Sequence, residues 1–289
     1  MTLATLALTE QATPLPALER GDGAAEIGFI RRGDTSGLAH LYQRAPCRVL
    51  MPRSEAGDPP QAVLLTTSGG LADGDRITLS LSVGPGSIAT ITTQAAEKIY
   101  GARDIAPALI RASIEVADGA WLEWLPQETI LFDGARFDRR TIAEVASGGR
   151  LLACEMVAFG RSASGESFTH GFLHDRWDIR RNGKLIWRDA LKLDGQIQER
   201  MAARAGFDAA TAMASAIYVG DDAASHVSAA RDCLADGDVR CGVTLVNGVL
   251  LARWFGEAGA VRAALTHYLT NFRAAVAGLP RRLPRVWQC

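Results

Sequence analysis

The segment from Thr66 to Thr93 reads TTSGGLADGDRITLSLSVGPGSIATITT, and its second half decides the fold class. Ile77, Leu79, Leu81 and Val83 alternate with Thr78, Ser80 and Ser82, the period of a half-buried strand. Gly84-Pro85-Gly86 then turns the chain into a second run, Ile88 to Thr93. The same grammar recurs downstream. Ile110, Ala112, Ile114 and Val116 alternate up to a turn at Asp118-Gly119, and the aromatic strand Trp121 to Leu125 follows. Two hairpins are predicted where Asn182-Gly183 separates Trp177–Arg180 from Leu185–Arg188, and where Asn247-Gly248 separates Val243–Val246 from Val249–Trp254. Asn-Gly is the pair best suited to a type I′ turn.

No convincing helix is legible before about Arg200. The last third is Ala-rich, and Val261, Leu265, Leu269 and Phe272 recur at helical spacing, which predicts helices near 223–236 and 257–277. The expected class is mainly β with two helices in the last third. Residues 1–23 are expected to form a loose arm and 24–289 a single domain, with no internal repeat and no linker.

Composition narrows the functions. With 31 Lys and Arg against 32 Asp and Glu, the net charge is -1, so no global field draws in nucleic acid or an anionic membrane. Five scattered cysteines with no C-x-x-C pair fit a reducing cytoplasm without structural zinc. The N-terminal stretch does not read as a signal peptide, and no run reaches the roughly 18 apolar residues of a membrane span.

Familiar chemistries are largely excluded. Gly69 and Gly74 have the spacing that opens a P-loop, but Asp75 stands where its lysine belongs and a strand follows. Gly84-Pro85-Gly86 lacks the third glycine and the helix of a dinucleotide fingerprint. The nearest approach to a nucleophile elbow, Gly160-Arg161-Ser162-Ala163-Ser164, ends in Ser. His170 and His174 would lie ~13 Å apart on a strand, too far to grip one ion together. Acidic residues in apolar runs are more informative. Glu155 within LLACEMVAFG must be paired, protonated or facing water: either an ion pair with Arg161 or Arg139, or a wall of a wet internal passage. Glu123 in WLEWLPQE raises the same question, with an outward-facing side chain as its simple answer.

Three segments in order, TTSGGLADGDRITLSLSVGPGSIATITTQAAEKIYG, WLEWLPQETILFDGARFDRRT and LLACEMVAFGRSASGESFTHG, resemble the urease accessory protein family UreD, called UreH in some organisms. The hairpin segment DIRRNGKLIWRDALKLDG and the C-terminal RLPRVW agree, so the likeness spans about Glu26 to Trp287. It implies an elongated, mostly β fold of sheets coiled in a helical manner. It also implies a non-enzymatic chaperone of nickel insertion that binds apo-urease and UreF, with UreF recruiting the nickel-carrying GTPase UreG. GTP would then be used only by UreG, and nickel would pass transiently through an internal tunnel rather than reside as a cofactor.

A transient route calls for weak, hard ligands, because a Cys/His cage would trap the ion. The candidates are Thr67, Ser68, Asp75, Asp133 and Glu155, with Glu128 and Glu166 as secondary ones, and no fixed high-affinity metal site is expected. Asp73 and Asp75 also have a local reading as turn caps. This chain has Ser68-Gly69-Gly70 where the family often has Ala-Gly-Gly, and Asp73-Gly74-Asp75 where it often has Gly-Gly-Asp. Two other functions are compatible with the residues: an independent nickel-storage protein, which would bind nickel tightly by itself, and a hydrolase on a β scaffold, for which no motif speaks.

Overall fold

The computed structural model describes residues 20–235, 237 and 239–288. Most of the expected N-terminal arm lies outside these residues. Its last two positions do not hang loose: Asp22 and Gly23 open strand β1 (Asp22–Arg32), paired in parallel with Arg76 and Ile77.

β1 forms a hairpin with β2 (Thr35–Arg44), and β3 (Cys47–Leu50) and β4 (Gln61–Thr66) follow. The chain then winds through β5 (Arg76–Val83), β6 (Ile88–Thr93), a short β7 (Glu97–Ile99), β8 (Ala108–Val116), β9 (Trp121–Leu125), a short β10 (Thr129–Leu131), β11 (Arg136–Val145), β12 (Arg150–Phe159) and β13 (Phe172–Arg181). After β14 (Lys184–Asp194) come helix α1 (Ile197–Ala202), β15 (Ala212–Val219), α2 (Val227–Asp232), β16 (Arg240–Val246), β17 (Val249–Gly256) and the long α3 (Ala258–Ala277).

The strands form two sheets, a seven-stranded one in the order β14-β13-β11-β8-β5-β1-β2 and a larger one along β16-β17-β15-β12-β9-β6-β4-β3. Successive strands alternate between them. β5, β8, β11 and β13 stack in parallel in the first, and β4, β6, β9 and β12 in the second, so each circuit of the chain adds one strand to each sheet. This is a β-solenoid-like arrangement with 49% strand and 16% helix, the coiled, mainly β class expected.

The circuit explains why no repeat is legible. On one side of the solenoid the connections are four-residue turns, Gly84–Ser87, Ala117–Ala120 and Ala146–Gly149, each closed by a bond from its fourth N–H to its first carbonyl. The third residue of each is a glycine at positive φ, 60° at Gly86, 64° at Gly119 and 72° at Gly148, as a type II turn demands. Only that glycine recurs. On the other side the connections are long and dissimilar: 67–75, 94–107, 126–135 and 160–171.

Covering differs between the sheets. The seven-stranded sheet is apolar inward and polar outward, and β5 reads Ile77, Leu79, Leu81 and Val83 in, Arg76, Thr78 and Ser80 out. The larger sheet is covered twice: Leu151, Ala153 and Val157 of β12 face the other sheet, while Leu152 and Met156 face the helices. That double cover makes LLACEMVAFG apolar on both faces. Helix α3 supplies most of the outer cover through Val261, Leu265, Tyr268, Leu269 and Phe272. It begins where the Glu257 carboxylate accepts from the Ala260 N–H at 2.9 Å and ends at Gly278 in the left-handed region. The earlier predicted helix is a 3-10 turn, Ala223–His226, running into α2, with residue 236 outside the described residues. The short α1 has no counterpart in the sequence reading.

Candidate functional site

The long connections gather most of the sequence-predicted residues on one side of the solenoid. In the Gly-rich loop, Ser68 Oγ donates to the Gly70 carbonyl at 2.8 Å and Thr67 Oγ1 to the Pro46 carbonyl at 3.2 Å. The loop crosses β7, with Leu71 N–H bonded to the Lys98 carbonyl at 2.7 Å. Gly70 is required at that crossing: its φ is +150°, and a Cβ there would sit 2.8 Å from the Lys98 carbonyl oxygen. Asp75 is buried and holds the turn, accepting from Ala72 N–H at 2.7 Å and Gly21 N–H at 2.6 Å. Asp73 pairs with Arg20 at 2.7 Å. Asp75 is therefore a local turn anchor, whereas Asp73 ties the loop to distant segments through Arg20 and the Arg103 N–H at 3.3 Å.

The next loops are similarly self-satisfied. Asp133 accepts from Thr169 N–H at 2.7 Å, Thr169 Oγ1 at 2.8 Å and His170 N–H at 3.2 Å. Burial raises its pKa, but these bonds outweigh that and hold the carboxyl below its ordinary value. Glu166 accepts from Asp133 N–H at 2.6 Å and pairs with Arg161. Glu128 pairs with Arg262 of α3 at 3.1 Å. His170 lies in the loop against Asp133, and His174 lies on β13 against Asp138, so they do not converge.

Glu155 belongs to a different environment, a cavity of about 70 Å³ between the two sheets, room for a few waters. Apolar walls come from Leu64, Ile77, Leu79, Ile110 and Trp124, and polar ones from Thr66, Glu97, Gln127, Thr129, Arg139 and Glu155. Glu155 projects from β12 toward β11 and β13. Its carboxylate accepts from Trp177 Nε1 at 2.5 Å and from Arg139 at 3.3 Å. Of the two partners considered from sequence, Arg139 is the one used, because Arg161 is taken by Glu166.

Arg139 also donates to Asp175 through Nε at 2.9 Å and through a second nitrogen, and to Thr129 Oγ1 at 3.1 Å. Two buried carboxylates thus share one guanidinium. Asp175 takes the paired geometry, so Glu155 is the group left to carry a proton: burial first, and then the Asp175 charge, push its pKa up.

Glu97 lines the same cavity and was not singled out in the sequence, where QAAEKIYG shows no apolar frame around it. Its oxygens accept from Thr66 Oγ1 at 3.3 and 3.4 Å. Burial pushes it up to about 7 against a hydrogen bond from Thr66 that works the other way. A raised carboxyl stabilises the fold below its unfolded value of 4.5 and loses that contribution as pH climbs through about 7. Glu97→Gln is therefore expected to gain on the order of 1–2 kcal/mol over wild type at pH 8 and little at pH 5. Urea titrations at both pH values read this directly, and equal differences at the two would count against it.

Glu123, expected to point outward, is instead fully buried on the helix-facing side of β9. Arg273 of α3 donates to it twice at 2.8 Å, and Thr90 Oγ1 once at 2.5 Å. Arg273 donates further to the Pro280 and Arg282 carbonyls at 2.8 and 2.6 Å and pairs with Asp58 at 3.4 Å, which ties α3 and the C-terminal segment to the sheet.

Among the described residues no group of three or more His, Cys, Asp and Glu side chains is placed to hold a metal ion, and no helix is long and apolar enough to cross a membrane. Fold and interior together define a solenoid-type β protein with a small charged cavity between its sheets. The chain belongs to the UreD family of urease accessory proteins, whose family model matches residues 21–288. Similar proteins named urease accessory protein UreD come from Magnetococcus marinus, 38% identical over 271 residues, and from a Methylobacterium strain, 40% identical over 282 residues. The alignments cover 92% of this chain and 93% of the first relative, and 94% and 96% for the second. A third, from Rhodopseudomonas palustris, is 40% identical over 93% of this chain and 91% of its own length.

Proposed function

We propose that this chain is a cytoplasmic, non-enzymatic chaperone of urease maturation that binds apo-urease and UreF and helps nickel pass from UreG to the urease active site along the polar space between its sheets. The observation that carries the reading is the family match over nearly the whole chain. The cavity supports the route: its Glu97, Glu155, Thr66 and Thr129 offer carboxylate and hydroxyl oxygens that hold a divalent ion loosely. Thr67, Ser68, Asp75, Asp133, Glu128 and Glu166 are the proposed approach on the long-loop side, and residues 24–289 the proposed single working unit. No tightly bound cofactor is part of the proposal, and GTP enters only through UreG.

The test is urease activation in a host expressing the urease subunits, UreF and UreG with nickel present. Activity should depend on this chain, and the chain should co-purify with UreF. Full activation without it would sink the proposal, whereas tight stoichiometric nickel binding by the isolated chain would favour storage instead.

A further inference from the structure

We propose that the outward face of the seven-stranded sheet is a docking surface for an acidic protein surface. Pairing register lays its side chains out in rows across the strands. One row runs Thr78, Arg111, Arg140, Arg176, placing three arginines side by side on β8, β11 and β13. The row beside it holds Arg76, Leu109, Asp138, His174 and Lys192, and the one on the other side Ser80, Ser113, Ile142, Asp178 and Arg188. Neighbouring strands are ~4.8 Å apart, and adjacent like charges destabilise a sheet. The fold itself asks for no charge here, as Ser80, Ser113, Leu109 and Ile142 show.

Two carboxylates serve four arginines. Asp138 takes Arg111 at 2.9 Å and Arg176 at 3.0 Å, with His174 at 3.6 Å, and Asp178 takes Arg140 at 2.7 Å and Arg188 at 2.5 Å. The four arginine side chains remain 31% to 57% exposed, so their outer N–H groups are reachable. In a chain of net charge -1 this is a local segregation of positive charge. The internal carboxylates hold the guanidinium groups in place, which lowers the ordering cost of forming forked bonds to a partner's carboxylates.

The interleaved aspartates favour a protein over a nucleic acid: a uniformly charged phosphate backbone would run across Asp138 and Asp178, whereas a protein can set cations opposite them. Five strands by three rows span roughly 19 by 13 Å between outermost positions. That is about a third of the ~800 Å² each partner contributes to a stable interface, so the patch would form the charged part of a larger contact. The inference deepens the accessory-chaperone reading by giving one partner its chemistry. It rests on that reading only for its biological setting.

The test uses the purified full chain and labelled poly-L-glutamate as the probe, with duplex DNA as competitor. The wild type should bind the polypeptide with an affinity that weakens between about 50 and 300 mM salt. The triple variant Arg111→Gln, Arg140→Gln, Arg176→Gln should bind at least about tenfold more weakly, while Arg31→Gln with Arg44→Gln on β1 and β2 should not differ from wild type. Should the triple variant fail to fold, Arg111→Gln and Arg188→Gln separately leave each aspartate another arginine and should each weaken binding. Equal binding by all variants would overturn the proposal, and so would preference for DNA over the polypeptide. Because the probe contains no urease, this result stands apart from whether the chain activates urease.

Discussion

Arg273→Met is expected to lower stability by about 3–5 kcal/mol, which for a chain of this size is roughly 6–10 °C in unfolding midpoint. The substitution keeps most of the side-chain volume and removes only the charge and its donors. Glu123, fully buried, would then keep one bond from Thr90 and no counter-charge. The Arg282 carbonyl would lose this donor, while the Pro280 carbonyl would keep the Arg282 N–H at 2.8 Å and Asp58 would keep the Arg282 side chain at 2.9 Å. The coupling can be isolated: Glu123→Gln together with Arg273→Met should recover much of the loss, because an uncompensated buried charge costs more than the pair contributes. Calorimetry on the two single variants and the double closes the cycle. Additive losses would mean that Arg273 acts through the carbonyls alone.

Glu155→Gln is expected to separate stability from function. Glutamine can still accept from Trp177 and Arg139, and Asp175 still balances the guanidinium, so the midpoint should move by no more than about 1 kcal/mol. Urease activation in the reconstituted host should nevertheless fall at least about tenfold, since the Glu155 carboxyl can give up its proton and hold a divalent cation as a carboxylate, which an amide cannot do. Pull-down of UreF should be unchanged. Undiminished activation would remove Glu155 from the proposed route and leave it as an interior ion-pair partner. Loss of both fold and activity would say that its carboxyl group is a structural part of the Arg139 cluster.

These two glutamates mark the boundary of what the sequence discloses. Local grammar was read correctly: Asn182-Gly183 and Asn247-Gly248 sit at positive φ in their hairpins, and Val261, Leu265 and Phe272 do form the buried stripe of α3. A turn or a helix face is settled within a few residues. Pairing across the fold is not. Glu123 and Arg273 are 150 residues apart in sequence, and nothing near Glu123 announces an arginine arriving on a helix from the far end of the chain. Glu97 was missed because its burial comes from the loops that cross around it, not from its own neighbours. Gly- and Asp-rich loops carry most of the sequence candidates, and the structure gathers them on one side of the solenoid with their carboxylates engaged by neighbouring backbone and arginines. Glu155 alone of them lines the cavity. The coiled arrangement follows from the family resemblance and not from any repeat in the residues, because the only recurring letters of the circuit are the glycines at 86, 119 and 148.

The position of α3 in the chain has a consequence for synthesis. Of the strands whose outer face it helps cover on the larger sheet, β9 and β12 are complete by Phe159, about a hundred residues before the helix is made, while β15 and β17 are added only by Val219 and Gly256. At about 5–20 residues per second, the ribosome leaves that apolar face bare for roughly 5–20 s. During this interval the nascent chain displays an aggregation-prone sheet face that its own last helix goes on to seal. The helix therefore ends a period of vulnerability, and the Arg273 contact with Glu123 is the latch that closes it.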